Sequence, residues 1–413
     1  MKIKITYERL IVGIILYFLF NTPYCLGYIS NSTVYFYFNV FIGVCLSLYI
    51  LIKKKIKKDL FVGIKFFMIP YIIVSLFSFF TGIIFYGLSI KPYITQSFLL
   101  MFEQWTVFIV AYFLYCKEKE NALKFIAIVG ILSYFTVIIH YIYLGGINAL
   151  IHPFNNRVNG VGLEVHGLTY MFVLLILYSW YEKGIKYILT SPLYCIVIFF
   201  IFLGNKRAAY LGAILSICLY YCLKIGLKKN KNLLFYAGYL LLIFLFIYVF
   251  VIKFGVLQYI AGKLGIKDSF RFNFWNYFNP FYKLSPLYLG RTLFFTDYYM
   301  TLPEIHKMYN FGGQGQMHND ILRTFIGWGF IPFLYYYAKM LIINFKSTNT
   351  RILFKNGWKF MPILFFFLII EGFDNMLGSL NFNMVLYLIF YLTNANLTNA
   401  NFKHKREYNK GNS

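Results

Sequence analysis

Along this chain apolar residues gather into windows of about 20 positions separated by short polar breaks, the length a helix needs to cross a hydrocarbon core. The windows predict spans at roughly 10–29, 33–52, 61–85, 97–115, 122–144, 164–181, 187–203, 207–225, 233–252, 318–345, 360–373 and 376–393. The fold class expected is all-α. It is a polytopic integral membrane protein of about twelve transmembrane helices, read as a single domain over 1–413. Three segments break the rhythm: a medium loop over 146–163, a long loop over 253–317, and a tail over 394–413 that is rich in Asn and Lys and reads as disordered. A long polar excursion between spans is where a substrate meets ionisable side chains in water, so function is expected there.

Basic residues orient these elements. With the N-terminus in the cytoplasm, the seven inside segments hold 25 Lys and Arg, whereas the five short outside loops hold four, Lys91, Arg157, Lys206 and Arg207. Both termini are therefore expected to be cytoplasmic. The long loop carries seven more basic residues yet lies outside, because long loops escape the charge rule.

Composition sharpens the class. At 60% hydrophobic, 23% aromatic and 13% charged residues, the chain is excluded from the soluble globular proteins. Its net charge of +25 sits in thin cytoplasmic loops such as Lys53-Lys54-Lys55-Ile56-Lys57-Lys58, and no nucleic-acid module accompanies it, so no nucleic-acid partner is expected. The first apolar run ends in Asn21-Thr22-Pro23 rather than a small-residue cleavage site, and is kept as a span. Six cysteines lie in or at the ends of spans without a Cys-x-x-Cys pair, which supports neither a disulfide framework nor a zinc site. The Gly-rich Phe311 to Gln316 stretch lacks the Gly-Lys-Ser/Thr ending of a phosphate loop.

Four outside-facing sites carry ionisable groups that a membrane fold does not itself require. Arg207 opens the eighth span beside Asn205 and Lys206, where it holds a permanent charge near the bilayer surface or snorkels to lipid phosphates. Arg157 precedes Gly160 in the medium loop, whose glycines admit a ligand to backbone amides; a solvated turn is the other reading. In the long loop Arg271 stands among Phe272, Phe274 and Trp275, with Arg291 further on. A guanidinium against aromatic faces suits sugar rings, while an aromatic segment lying on the bilayer interface is the alternative. The fourth site is His318-Asn319-Asp320 before the tenth span. Asp320 offsets the helix dipole and stands three residues from Arg323, so both have structural duties, whereas His318, outside the helix, has none and is the functional candidate. Glu103 and Glu371 lie inside predicted spans, where acids are costly; each is a functional candidate, or a structural one with a partner such as Lys65 or His140.

Together these positions resemble the O-antigen polymerase and ligase superfamily of bacterial polysaccharide glycosyltransferases. The residues that carry the resemblance are Arg157 with Gly160, Arg207-Ala208, Arg271 with Trp275, and His318-Asn319-Asp320 with Leu322, Gly327 and Gly329. The family signature usually closes as Glu-x-Gly-x-x-Gly; here Gly327-Trp328-Gly329-Phe330-Ile331-Pro332 stands without the acid. The span count, cytoplasmic termini and two larger outer loops also agree with a Wzy-type polymerase.

The resemblance implies a donor glycan on undecaprenyl pyrophosphate, polymerised at the outer face of the bacterial plasma (inner) membrane into O-antigen or capsular polysaccharide. Fixed guanidiniums stabilise the charge spreading over such a leaving group. His318, Arg271 and Arg207 are then the expected catalytic residues, and Arg157, Arg291, Trp275, Asn319 and Asp320 the expected substrate-binding ones. His318 orients or deprotonates the acceptor hydroxyl. No cofactor is expected, and with no Asp-x-Asp site in the outer loops the transfer is read as metal-independent. A chain-length regulator and a flippase are the implied partners. An O-antigen ligase, which hands glycan to a lipid A core, shares these motifs, and a lipid-linked oligosaccharide flippase is the alternative from another class.

Overall fold

The structure is a computed structural model that describes residues 6–20, 32–53, 56–86, 91–146, 165–230, 232–265, 271–300, 302–303, 317–343 and 357–393. The 146–163 loop, apart from Gly146, and the 394–413 tail lie outside the described residues.

The described chain is helical. Its helices of more than six residues are α1 (Tyr7–Leu19), α2 (Ser32–Ile52), α3 (Lys58–Phe85), α4 (Lys91–Glu118), α5 (Ala122–Gly145), α6 (His166–Lys183), α7 (Pro192–Gly204) and α8 (Arg207–Gly226). They continue as α9 (Leu233–Lys253), α10 (Val256–Lys263), α11 (Arg271–Phe278), α12 (Asp320–Trp328), α13 (Phe330–Ala338), α14 (Phe360–Phe373) and α15 (Leu380–Thr393). Among the described residues five helices are long and apolar enough to cross a bilayer: α3, the Ser97–Glu118 part of α4, α5, α8 and α9. Exposed side chains such as Leu211, Ile214, Leu240, Ile243 and Phe250 on α8 and α9 would be untenable in water and suit lipid. This is a helical membrane protein, with five helices of crossing length and apolarity among the described residues where the sequence predicts about twelve spans.

Three expectations are corrected. The span predicted at 187–203 is interrupted at Ser191, where Pro192 takes the first position of α7 and fixes a new helix start. The span predicted at 318–345 is two helices, because Gly329 at φ 87° and ψ 176° adopts a backbone that residues with a Cβ do not enter. The 253–317 segment, expected as an aqueous loop, contains α10, α11 and a short helix at Phe295–Tyr299, with Phe274, Phe278, Tyr282 and Phe295 buried.

The chain divides into two compact units. One comprises 1–60, 102–220 and 379–413. Its centre is α15, buried along its whole length. Tyr391 packs on Phe108, Tyr112 and Tyr115 of α4, the last stacked at 5.5 Å, while Tyr387 donates to the Gln104 side chain at 2.8 Å. Arg9 clamps Glu118 through two bonds of 2.7 Å, a bidentate pair that ties the start of α1 to the end of α4. Glu103 finds its partner in the Asn39 amide at 3.2 Å rather than in Lys65 or His140.

The other unit comprises 61–101 and 221–378 and carries the candidate site. Every residue of α12 is buried. Around it pack α3, α9, α13, α14 and the Phe295–Tyr299 helix. Glu371 on α14 accepts from the Tyr337 hydroxyl at 3.1 Å, so the second of the two acids also has a neutral partner.

Candidate active site

The site is built at the start of α12, where the local sequence dictates a sharp turn into a helix. Asn319 is its N-cap: extended at φ −164°, it accepts the Leu322 amide on Oδ1 at 2.9 Å and so satisfies one of the helix's orphan donors. The preceding residue, His318, is held at φ 48°, a left-handed backbone that costs a residue with a Cβ. Such strain persists only where the surroundings over-determine it.

The surroundings do so from three sides. Trp275 of α11 donates its indole N–H to the Met317 carbonyl at 3.1 Å, fixing the chain just before His318. Tyr248 of α9 receives the Asn319 amide on its hydroxyl at 3.0 Å, fixing the chain just after. The same hydroxyl donates a short bond to the Gly372 carbonyl at the end of α14. Two residues on, Asp374 holds the imidazole itself, with Nδ1 of His318 at 3.0 Å from its Oδ1. The histidine side chain is 31% accessible and the Asp374 side chain 5%. Among the described residues Nε2 has no hydrogen-bond partner, so the free edge of the ring is the one left for a ligand.

Arg271 reaches the same place. The first residue of α11, it donates from one guanidinium nitrogen to the Phe373 carbonyl at 2.9 Å, one residue before Asp374. This is the negative end of the α14 dipole, which stabilises a cation there. The charge lies within electrostatic reach of the Tyr248 hydroxyl. A histidine with a carboxylate behind it and a permanent cation beside it thus converge on the exit of α14.

The remaining expected residues divide sharply. Trp275 is 3% exposed, so it offers no face to a sugar and acts instead through Met317. Asp320 is 0% exposed; Oδ1 meets Arg323 at 3.1 Å, and Oδ2 accepts the Leu377 amide at 2.5 Å. Asn319 is likewise buried and spent on its cap and on Tyr248. These three, expected to bind substrate, line the site from behind. Arg291 donates from Nε to the Phe281 carbonyl at 3.2 Å. Arg207 is exposed at the start of α8 in the first unit, next to Lys206, which bonds His166. Arg157 lies outside the described residues.

Beneath the site, Arg323 bridges Asp320 and Asp297, the latter at 2.6 Å, with its guanidinium 5.2 Å from the Phe294 ring centre. Burial pushes the Asp297 carboxyl above its usual range, and Arg323 offsets that only in part.

Sequence reasoning missed Asp374 and Tyr248. Asp374 carried a usable signal, an acid in the two-residue gap between the predicted spans at 360–373 and 376–393. Tyr248 carried none, being one aromatic among many in its span.

Residues 192–337 match the O-antigen ligase family (Wzy_C). The matched stretch contains Arg207, Arg271, Trp275, Arg291, His318, Asn319 and Asp320 and ends before Asp374. It supports the O-antigen polymerase and ligase superfamily, and with it an enzyme of polysaccharide biosynthesis in a membrane. No curated protein and no solved structure matches the chain.

Proposed function

We propose that the protein is a membrane glycosyltransferase that joins lipid-pyrophosphate-linked oligosaccharide repeat units into O-antigen or capsular polysaccharide at the outer face of the plasma membrane. The observation that carries this reading is the strained, part-exposed His318 paired to Asp374, with Arg271 on the neighbouring carbonyl, inside a segment of O-antigen ligase type.

The chemistry follows from the groups present. With Asp374 on Nδ1, the imidazole presents Nε2 as a base toward an acceptor hydroxyl. The hydroxyl oxygen attacks the anomeric carbon of the donor as its proton passes to Nε2. The bond from that carbon to the pyrophosphate breaks, and the electron pair leaves with the lipid pyrophosphate. Arg271, with guanidinium donors not used on Phe373, stabilises the departing charge; Arg207, Arg291 and Arg157 are the further cations proposed for the anion. Displacement in one step inverts the anomeric centre. The leaving group is already activated, so the step calls on no nucleotide.

A ligase reading uses the same donor and the same groups with a lipid A core as acceptor. Deleting the gene and analysing surface and lipid-linked glycans by gel and mass spectrometry separates the possibilities. Surface glycan cut to a single repeat unit is the result expected of a polymerase. Long chains stranded on the carrier lipid would make it a ligase, and single units trapped on the cytoplasmic face would point to a flippase and overturn the catalytic reading.

A further inference from the structure

Tyr248 stands between the two residues that matter most and touches neither. It lies on α9, far along the chain from both α12 and α14, and its hydroxyl is the single atom shared by their ends. As acceptor it takes the Asn319 amide, the residue after His318; as donor it takes the Gly372 carbonyl, two residues before Asp374. A Cβ on Gly372 would stand in ordinary contact with the tyrosine hydroxyl, at 3.4 Å, and with Ile321, at 3.5 Å, so the ring packs closely on this turn. A phenylalanine would fill the same space and make neither bond.

We propose that Tyr248 is a positioning residue for the His318–Asp374 pair, fixing the separation of its two halves by tying their backbones to one hydroxyl. The inference rests on the reading of His318 as the base. The physical argument is that His318 sits in a left-handed backbone that relaxes unless both flanks are held. Trp275 holds the Met317 flank, and the Asn319 flank is held by its cap bond to Leu322 and by Tyr248. The cap bond anchors Asn319 to its own helix only, so the tyrosine is Asn319's own link toward Asp374, beside the Asp320–Leu377 bond that ties the next residue to the same turn.

The test compares Tyr248→Phe, Asp374→Asn and the double variant in the full-length protein, at matched membrane levels, in a host lacking the native gene. Polymer accumulation after induction is measured by gel. Carbethoxylation of His318 by diethyl pyrocarbonate is followed by peptide mapping. Displacing a catalytic group by about 1 Å costs up to roughly 100-fold, so each single variant is expected to slow accumulation about 10- to 100-fold. The double variant is expected to be no slower than Asp374→Asn, because both changes break one unit. The labelling rate of His318 is expected to change in Tyr248→Phe in the same direction as in Asp374→Asn. Multiplying effects with unchanged labelling would assign Tyr248 to general packing and overturn the proposal. Should Tyr248→Phe fail to insert, Asn319→Ser keeps a capping oxygen and removes only the amide donor, and the same outcomes apply. Labelling needs no turnover, so the positioning role is decided even if His318 proves dispensable for polymer formation.

Discussion

The two ends of α12 solve the same problem with opposite materials. At its C-terminal end the chain turns through Gly329 at φ 87°, and the 288–293 segment presses backbone to backbone against the turn. Arg291 donates its amide to Ile326, Thr292 to Gly327, and Phe330 to Tyr288, at 2.8, 3.0 and 2.9 Å, so the Ile326 and Gly327 carbonyls and the Phe330 amide are met by main chain, with the Tyr288 hydroxyl adding a bond to the Ile326 carbonyl at 2.8 Å. Ser78 of α3 joins the two segments, accepting the Leu293 amide at 3.0 Å and donating to the Gly327 carbonyl at 3.4 Å. A Cβ on Gly290 would stand 2.4 Å from the Gly327 oxygen, and one on Gly329 2.4 Å from the Leu289 carbonyl carbon. At the N-terminal end the left-handed position belongs to His318, and side chains make the bonds. Strain taken mostly by glycine, with the buried Thr292 at φ 80° beside it, and closed mostly by backbone is architecture. Strain carried by a part-exposed imidazole with a carboxylate behind it, where glycine would be cheaper, is the mark of chemistry.

The sharpest way to break this comparison is to give the N-terminal end the residue used at the other. His318→Gly is expected to abolish polymer formation, a loss of about 100-fold or more for a general base. Thermal stability in detergent is expected to hold or rise, because glycine relieves the left-handed backbone. Gly329→Ala is the converse. It places a Cβ inside the 288–293 backbone and in a conformation closed to alanine, for an expected cost of about 3 kcal/mol from overpacking and strain together. The measurement is the melting temperature and the inserted amount, both of which are expected to fall.

Arg271→Lys keeps the charge but not the planar fork, so activity is expected to fall about 10-fold with folding unchanged, as read by polymer accumulation at matched protein levels. The smallest effect is expected at Glu371→Gln. The amide oxygen still accepts from Tyr337, and stability is expected to stay within about 1 kcal/mol with polymer formation intact. Loss of polymer without loss of stability in that variant would move Glu371 into the reacting machinery.

Much of the helical frame was legible because a bilayer imposes one length on apolar windows. The windows at 122–144, 207–225 and 233–252 recur almost residue for residue as α5, α8 and α9. The broken span at 318–345 was not legible, because Gly327 and Gly329 read equally well as a small-residue helix face; only the arrival of Gly290, distant in sequence, makes Gly329 a turn. The same limit governs the site. The cap at Asn319 and the pairing of Asp320 with Arg323 are local, three residues apart, and could be read from spacing. The aromatic setting of Arg271 suggested a sugar platform, yet Trp275 is buried in packing because α11 folds inward rather than lying in water. Tyr248 and Asp374 reach His318 only through tertiary structure, and no periodicity connects three residues on separate stretches of the chain.

The central claim, that His318 is placed for chemistry and not for folding, is tested most directly by complementing a strain that lacks the native gene with His318→Gly, shown to be inserted and folded, and sizing its surface glycan. The account expects single repeat units alone; a full-length ladder would contradict it.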